Sequence, residues 1–399
     1  MKKRYLVIQG YLGDFLVLLI QALSIYLFVN NNPNYLYASW VLVLALVNPV
    51  VGFSSMSIDS LISTETSNSK IKEFLSFRFT NILIFLPIVL FLNYFYESNA
   101  SPWFLLLIAF SLKSFEGFSM AFRGIYYRNK SIYHASISKV IAKAGYLLGF
   151  GYFIKITQSL SRALIIILIW NIASFVIYDI YLQKKYDFLY PFSFLNAKSY
   201  KSFAIKYYPL GFNNFLTLLV VSLPQVFIEK YLSLEILSLV GIVLLFNSAT
   251  DNIYISSLKT LRRSYADILL EKNQFKIFMK QVTVLYTVFL ITFCSVFYLF
   301  GDSFFQFYNQ NFYEQVNLLI LILFGSYFYY ISNAINFRYF VERDILQIFK
   351  FNLTRALIPV LFSYYFISNF QILGFGYIYL LSNISYALYT STKYLEFNK

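Results

Sequence analysis

The stretch from Trp103 to Ile154, WFLLLIAFSLKSFEGFSMAFRGIYYRNKSIYHASISKVIAKAGYLLGFGYFI, decides the fold. It holds two apolar runs, 103–122 and 132–154. Each has about 20 residues, the length that crosses a hydrocarbon core of ~30 Å as a helix. Arg123, Arg128 and Lys130 stand between the runs, while Lys113, Glu116, Lys139 and Lys143 stand inside them. The arrangement reads as two antiparallel membrane helices with a basic turn on one side of the bilayer and charges in its middle.

Runs of the same kind recur along the chain. They fall at about 8–29, 36–62, 79–96, 160–182, 207–228, 236–257, 278–300, 313–336, 346–367 and 372–391, which with the first two makes about twelve spans. The composition agrees: 59% of the 399 residues are apolar and 13% are charged, against roughly 25% charged in a soluble domain. The basic start Met1-Lys2-Lys3-Arg4 leads into a run too long for a cleavable signal, so 8–29 is read as the first span. Cys294 lies mid-span, so no disulfide is expected, and His134 stands alone near a helix start. No His, Cys and carboxylate cluster has metal-ligand spacing, and no cofactor is expected.

The formal charge of +14 follows the topology rather than a nucleic-acid footprint. With the N-terminus inside, 25 of the 32 Lys and Arg fall in cytoplasmic segments, 3 in outside segments and 4 within spans. This is the positive-inside pattern, and it puts both termini in the cytoplasm. The outside loops are short, the longest being about 301–312. The largest inside segment, 183–206, follows six spans and precedes six. We expect two six-helix lobes, 1–182 and 207–399, joined by that cytoplasmic linker.

The halves also echo each other. Phe122-Arg123 with Arg128 recurs as Phe337-Arg338 with Arg343, at a constant offset of 215. Lys139 and Arg355 follow at matching depth in the next span, and Leu12-Gly13 is matched by Leu210-Gly211. Six spans per half make these parallel repeats, as in many transporters.

A Lys or Arg at the bilayer centre costs at least ~2.5–3.5 kcal/mol. Lys113, Lys139, Lys143 and Arg355 facing lipid would cost roughly 10–14 kcal/mol, as much as a domain's stability. They are therefore expected to face protein or a wet cavity. Lys139 and Lys143 share a stripe of one helix, and Lys113, Glu116 and Arg123 share a stripe of its neighbour. The tally inside the membrane is four cations against the two carboxylates Asp14 and Glu116. The surplus calls for an anionic partner, and phosphate suits Lys and Arg. Asp14 and Glu116 are also candidates for proton or sodium coupling. Asn48-Pro49, Pro87, Pro209, Pro224 and Pro359 mark points where spans can bend. A Walker A motif is absent, as is an Asp-x-Asp in a cytoplasmic segment, which argues against an ATPase and a nucleotide-sugar transferase.

Tyr208-Pro209-Leu210-Gly211-Phe212-Asn213-Asn214, then Ser222-Leu223-Pro224-Gln225-Val226-Phe227-Ile228-Glu229-Lys230 and Gly241, resemble the seventh-to-eighth helix region of Wzx-type polysaccharide flippases. Val47-Asn48-Pro49-Val50-Val51-Gly52 with Asp59, and Ala121-Phe122-Arg123, are similar to that family too. Gln225 replaces its usual arginine. The resemblance implies an all-helical, V-shaped fold of the MATE/MOP type in the bacterial inner membrane. It implies an undecaprenyl-pyrophosphate-linked oligosaccharide, an O-antigen or capsule repeat unit, as substrate. The substrate would cross from the cytoplasmic to the periplasmic leaflet by alternating access through a cationic cavity, without a catalytic residue. A polysaccharide polymerase and a chain-length regulator are implied partners, with the membrane lipid. Three alternatives remain: an O-antigen or capsule polymerase, a multidrug or cation exporter of the same fold, and a peptidoglycan-precursor flippase. The expected substrate-binding residues are Lys113, Lys139, Lys143, Arg355 and Arg123.

Overall fold

The computed structural model describes every residue except 1, 32–33, 65–66, 96–102, 129–130, 183–193, 266–270, 309–314, 343 and 399. Among the described residues all regular structure is helical. This is the solution a bilayer demands, since a helix satisfies its own backbone where no water is available. Two compact units divide the chain, Met1–Phe215 and Leu216–Lys399.

In the first unit the helices are α1 (Lys2–Asn31), α2 (Asn34–Ser55), the short α3 (Ile58–Thr64), α4 (Asn68–Phe95) and α5 (Trp103–Arg128). Next comes α6, which runs over Ile132–Tyr146, widens into a π-helical segment at Leu147–Phe153 and closes at Thr157. Helix α7 (Leu160–Ser174) widens in the same way over Phe175–Ile180. The long α8 (Ala197–Tyr231) carries the chain across the division between units. Of the linker expected at 183–206, residues 183–193 lie outside the described residues, while 197–206 are the first turns of α8.

In the second unit α9 (Leu234–Tyr265), α10 (Lys272–Tyr308) and α11 (Val316–Glu342) follow. The last helices are α12 (345–370) and α13 (372–398), which meet at a break on Gln371. Nine stretches among the described residues are long and apolar enough to cross a membrane, and one of these, Ile345–Phe397, contains both arms of the Gln371 break. Helix α10 runs to Tyr308, so part of the loop expected at 301–312 is helix, while 309–312 lie outside the described residues.

The burial pattern is that of helices in lipid. On α1, Leu12, Leu16, Leu19 and Leu23 are exposed at spacings of three and four, a single apolar stripe. Leu357, Val360, Leu361 and Tyr364 repeat this on α12. In water such faces would mark a binding surface; here, on a chain that is apolar throughout, they are the lipid-facing side. Inside, where no hydrophobic force distinguishes protein from lipid, close van der Waals packing does the work. In the first unit it is a cluster of Ile62, Phe74, Phe77, Phe118, Phe122 and Phe175. In the second it is built on Tyr254, whose ring stacks on Tyr330 and meets Tyr286 edge-on, with centroids 4.7 Å apart in both cases.

The break between α12 and α13 depends on two residues. Gln371 has φ 51° and ψ −129°, a conformation suited to glycine. Gly374 lies so close to the Phe366 carbonyl that a Cβ would overlap its oxygen. Gln371→Gly should therefore stabilise the protein by roughly 1 kcal/mol, and Gly374→Ala should destabilise it by about 1–3 kcal/mol. The thermal midpoint of the purified protein in detergent measures both. Opposite signs are expected, and equal signs would remove this account of the turn.

Candidate functional site

Three helices of the first unit build the site. Helix α1 comes close enough to α6 for Gly13 to lie against Ser136, where a Cβ would overlap that side chain. One turn further along α6, this approach lets Lys139 Nζ reach Asp14 Oδ1 at 2.9 Å. The next turn carries Lys143, whose Nζ donates to Glu116 Oε1 on α5 at 2.8 Å. Glu116 Oε2 accepts from Lys113 Nζ at 3.0 Å. The spacings of three and four residues place these side chains on facing stripes of α5 and α6. Lys113 is ten residues into α5, about 15 Å from its start, near the middle of a membrane-spanning helix.

Tyr146 completes the cluster, one turn beyond Lys143. Its hydroxyl donates to Glu116 Oε1 at 2.9 Å and accepts from Lys113 Nζ at 3.1 Å. Its ring lies beneath both ammonium groups, with Lys143 Nζ 4.5 Å and Lys113 Nζ 5.5 Å from the centroid. Trp40, on α2, offers a second face to Lys113 at 5.7 Å. Aromatic faces stabilise cations electrostatically, so they support the lysines whichever anion these hold. The side chains of Lys113, Lys139 and Lys143 are each about one-fifth exposed, buried enough to feel a low dielectric and open enough to meet a ligand. Tyr146 and Trp40 were not among the residues singled out from the sequence. The i+3 spacing from Lys143 marks Tyr146 in retrospect; nothing local marks Trp40.

Arg123 lies deeper. It is 8% exposed and donates to Ser119 and Ser138, each at 3.0 Å. Ser138 in turn donates to Asp179 Oδ2 at 3.0 Å, and Tyr126 donates to Asp179 Oδ1 at 3.1 Å. Asp179 lies in the sixth span and was not weighed in the sequence tally. Arg78, counted there in a cytoplasmic segment, is buried on α4 against Gly117, with Asp59 within electrostatic reach. Arg355 belongs to the second unit. It is 2% exposed, donates to Asn383 Oδ1 at 2.7 Å and stacks on Tyr329 at 4.2 Å. Asp251 acts on it electrostatically within that unit and accepts from Asn247 at 3.1 Å.

The tally of four cations against two carboxylates is thereby corrected. Asp179 sits in the Arg123 network and Asp251 is within electrostatic reach of Arg355, because helix packing brings together residues far apart in sequence. Among the described residues a surplus remains where Lys113 and Lys143 share Glu116, beside the Lys139–Asp14 pair. The Phe-Arg repeat also diverges. Arg123 is buried among hydroxyls, whereas Arg338 pairs with Glu342 and lies over the Phe397 ring. Arg343 lies outside the described residues, as does the side chain of Arg128.

No protein-family model matches the chain. In sequence it is 25% identical, over 351 residues, to the capsular polysaccharide biosynthesis protein CapF of Staphylococcus aureus, with 83% of this chain and 84% of that protein covered. In structure it is similar to the lipid II flippase MurJ, with a TM-score of 0.69 at 15% identity over 98% of this chain and 90% of MurJ. A MATE transporter of Vibrio cholerae, VcmN, aligns with a TM-score of 0.68 at 11% identity, covering 98% and 97%. A MOP-superfamily transporter from Pyrococcus furiosus, described as having a binding pocket of reversed polarity, aligns at 0.65 with 12% identity, covering 99% and 96%. The chain has the fold of the MOP-superfamily transporters. It is a multi-pass membrane protein with a relative in polysaccharide biosynthesis, and these structural neighbours are transporters and a flippase.

Within this MOP fold the Asp14–Lys139 pair ties α1 to α6. Removing one partner takes a compensating charge from the other in a low-dielectric site, which costs several kcal/mol when burial is complete. With these side chains one-fifth to one-quarter exposed, about 2 kcal/mol is expected for Asp14→Asn or Lys139→Gln. The double variant should cost clearly less than the sum, by 0.5–3 kcal/mol on the scale of coupled neighbours, roughly. A thermal-denaturation double-mutant cycle checks this, and strict additivity would show that the pair contributes nothing.

Proposed function

We propose that the protein is a flippase for a lipid-linked oligosaccharide, whose diphosphate is recognised by Lys113, Lys139 and Lys143. One observation carries the reading: three ammonium groups share two carboxylates at mid-membrane depth in the first unit and remain partly exposed. A diphosphate cannot enter hydrocarbon as a bare polyanion. Lysines replace its hydration with charge, while the prenyl chain stays in lipid. No bond is made or broken, so the reaction is transport. A capsule-biosynthesis relative and a lipid II flippase of the same fold support a glycan carried on a prenyl diphosphate, an O-antigen or capsule unit. The same surplus disfavours export of cationic drugs, which it would repel.

In this proposal the chain sits in the bacterial inner membrane with both termini cytoplasmic, where the positive-inside bias places them. The headgroup is taken from the cytoplasmic leaflet and presented to the periplasmic one by alternating access, for use by a polymerase. Asp14, paired with Lys139 and about one-quarter exposed, is assigned the proton or sodium coupling. Arg123 and Arg355, nearly inaccessible, are assigned to holding the polar interior of their own units.

Surface polysaccharide restored in a flippase-deficient strain tests the assignment, with protein level checked in the membrane fraction. The triple variant Lys113→Ala, Lys139→Ala, Lys143→Ala should lose at least nine-tenths of the polysaccharide. Lys143→Arg should retain about half or more, because point charge matters more there than fork geometry. Full complementation by the triple variant would end the proposal. For orientation, reporters fused after residue 190 or residue 270 should read as cytoplasmic; a periplasmic signal at either overturns it.

A further inference from the structure

Glu116 does more than neutralise. Both its oxygens hold ammonium groups, Lys113 through Oε2 and Lys143 through Oε1, and Oε1 also accepts from the Tyr146 hydroxyl. Three side chains from α5 and α6 converge on this one carboxylate, and Trp40 of α2 backs Lys113. A carboxylate bridging two lysines presents two oxygens and negative charge, as one edge of a phosphate does. It occupies the seat that the proposed diphosphate would take.

Three properties of the seat make it exchangeable. Lysine is a compact point charge on a flexible stem and can change partners without meeting a fixed fork geometry. The Tyr146 ring, 4.5 Å and 5.5 Å below the two ammonium groups, keeps them in place whichever anion they hold. Finally, Glu116, Lys113 and Lys143 are each 17–20% exposed, so an external anion can reach the pair. Arg123 and Arg355, at 8% and 2%, lack this access.

We infer that Glu116 is a built-in competitor for the substrate's phosphate, a specificity-determining residue of the site. This rests on the flippase reading above. In the empty site Glu116 satisfies both lysines and keeps the uncompensated charge low. An arriving diphosphate takes the lysines and leaves the carboxylate to the Tyr146 hydroxyl and water. When the headgroup leaves, Glu116 returns. The competitor lowers affinity and thereby permits release; a transporter that held its cargo with every available charge would retain it. It also favours a diphosphate, whose higher charge displaces the carboxylate better than a monoanion does.

Binding of farnesyl diphosphate to the full chain in phosphatidylcholine nanodiscs tests this, alongside complementation. Glu116→Gln should bind the probe at least tenfold more tightly than wild type while restoring less polysaccharide, because release slows. Glu116→Asp is one methylene shorter and bridges the lysines less well, so it should bind two- to fivefold more tightly. The double variant Lys113→Ala, Lys143→Ala should bind at least tenfold more weakly. If it does so while neither Glu116 variant gains affinity, Glu116 is a packing partner only and the inference fails, although the flippase reading stands. If the lysine variant binds like wild type, the phosphate site lies elsewhere and both readings fail.

Discussion

An ammonium group cannot face hydrocarbon, and this constraint organises the protein's interior. Each charge in the middle of a span needs a partner, and where that partner lies on a neighbouring helix it fixes how the helices pack. Lys139 holds α6 against α1 through Asp14, while Lys143 holds α6 to α5 through Glu116, which Lys113 of its own helix also pairs. Arg123 extends the same logic to α7 through Ser138 and Asp179. Isolated ion pairs of this kind add little net stability, because desolvation offsets the attraction. Their value is specificity: they define which helix faces which, in a solvent where apolar side chains do not distinguish protein from lipid.

The two units answer that constraint differently. In the first, beside the buried Arg78 and Arg123, three cations are lysines, partly exposed, and their carboxylates are shared unevenly. In the second, Arg355 is sealed among Tyr329, Tyr386 and Asn383, with Asp251 within electrostatic reach. Lysine keeps its charge mobile, whereas a guanidinium stacked on a ring is held in one geometry. The first arrangement suits a group that must exchange partners with a passing ligand. The second suits a group that holds its own unit together. The π-helical segment that begins directly after Tyr146 adds to the asymmetry, since a π-turn re-aims the side chains on either side of it and is common at functional sites.

The helical, membrane-spanning class was legible without coordinates, because apolar length and the distribution of Lys and Arg are properties of the chain alone. The stripe Lys113, Glu116, Arg123 and the pair Lys139, Lys143 were legible for a related reason: helical periodicity puts residues three and four apart on one face. The electrostatic tally was not. Asp179 and Asp251 are as visible in the sequence as Asp14, but whether a carboxylate neutralises a given cation depends on which helix packs beside which. Arg78, read as belonging to a cytoplasmic segment, is buried for the same reason: α5 packs against it at Gly117, while Lys70 and Lys72 on the same helix stay exposed.

What the chain determined by itself was therefore whatever depends on one helix at a time: which segments enter the bilayer, which side chains share a stripe, and that buried cations would need partners. The tertiary structure decided what depends on several helices at once. It gave Glu116 to two lysines and a tyrosine, placed Trp40 and Tyr146 against their ammonium groups, closed Arg355 off and left the lysine trio partly open. The physical reason is range. Hydropathy and periodicity act along a single helix, whereas a charge is satisfied across the gap between helices, by neighbours that the order of residues does not name.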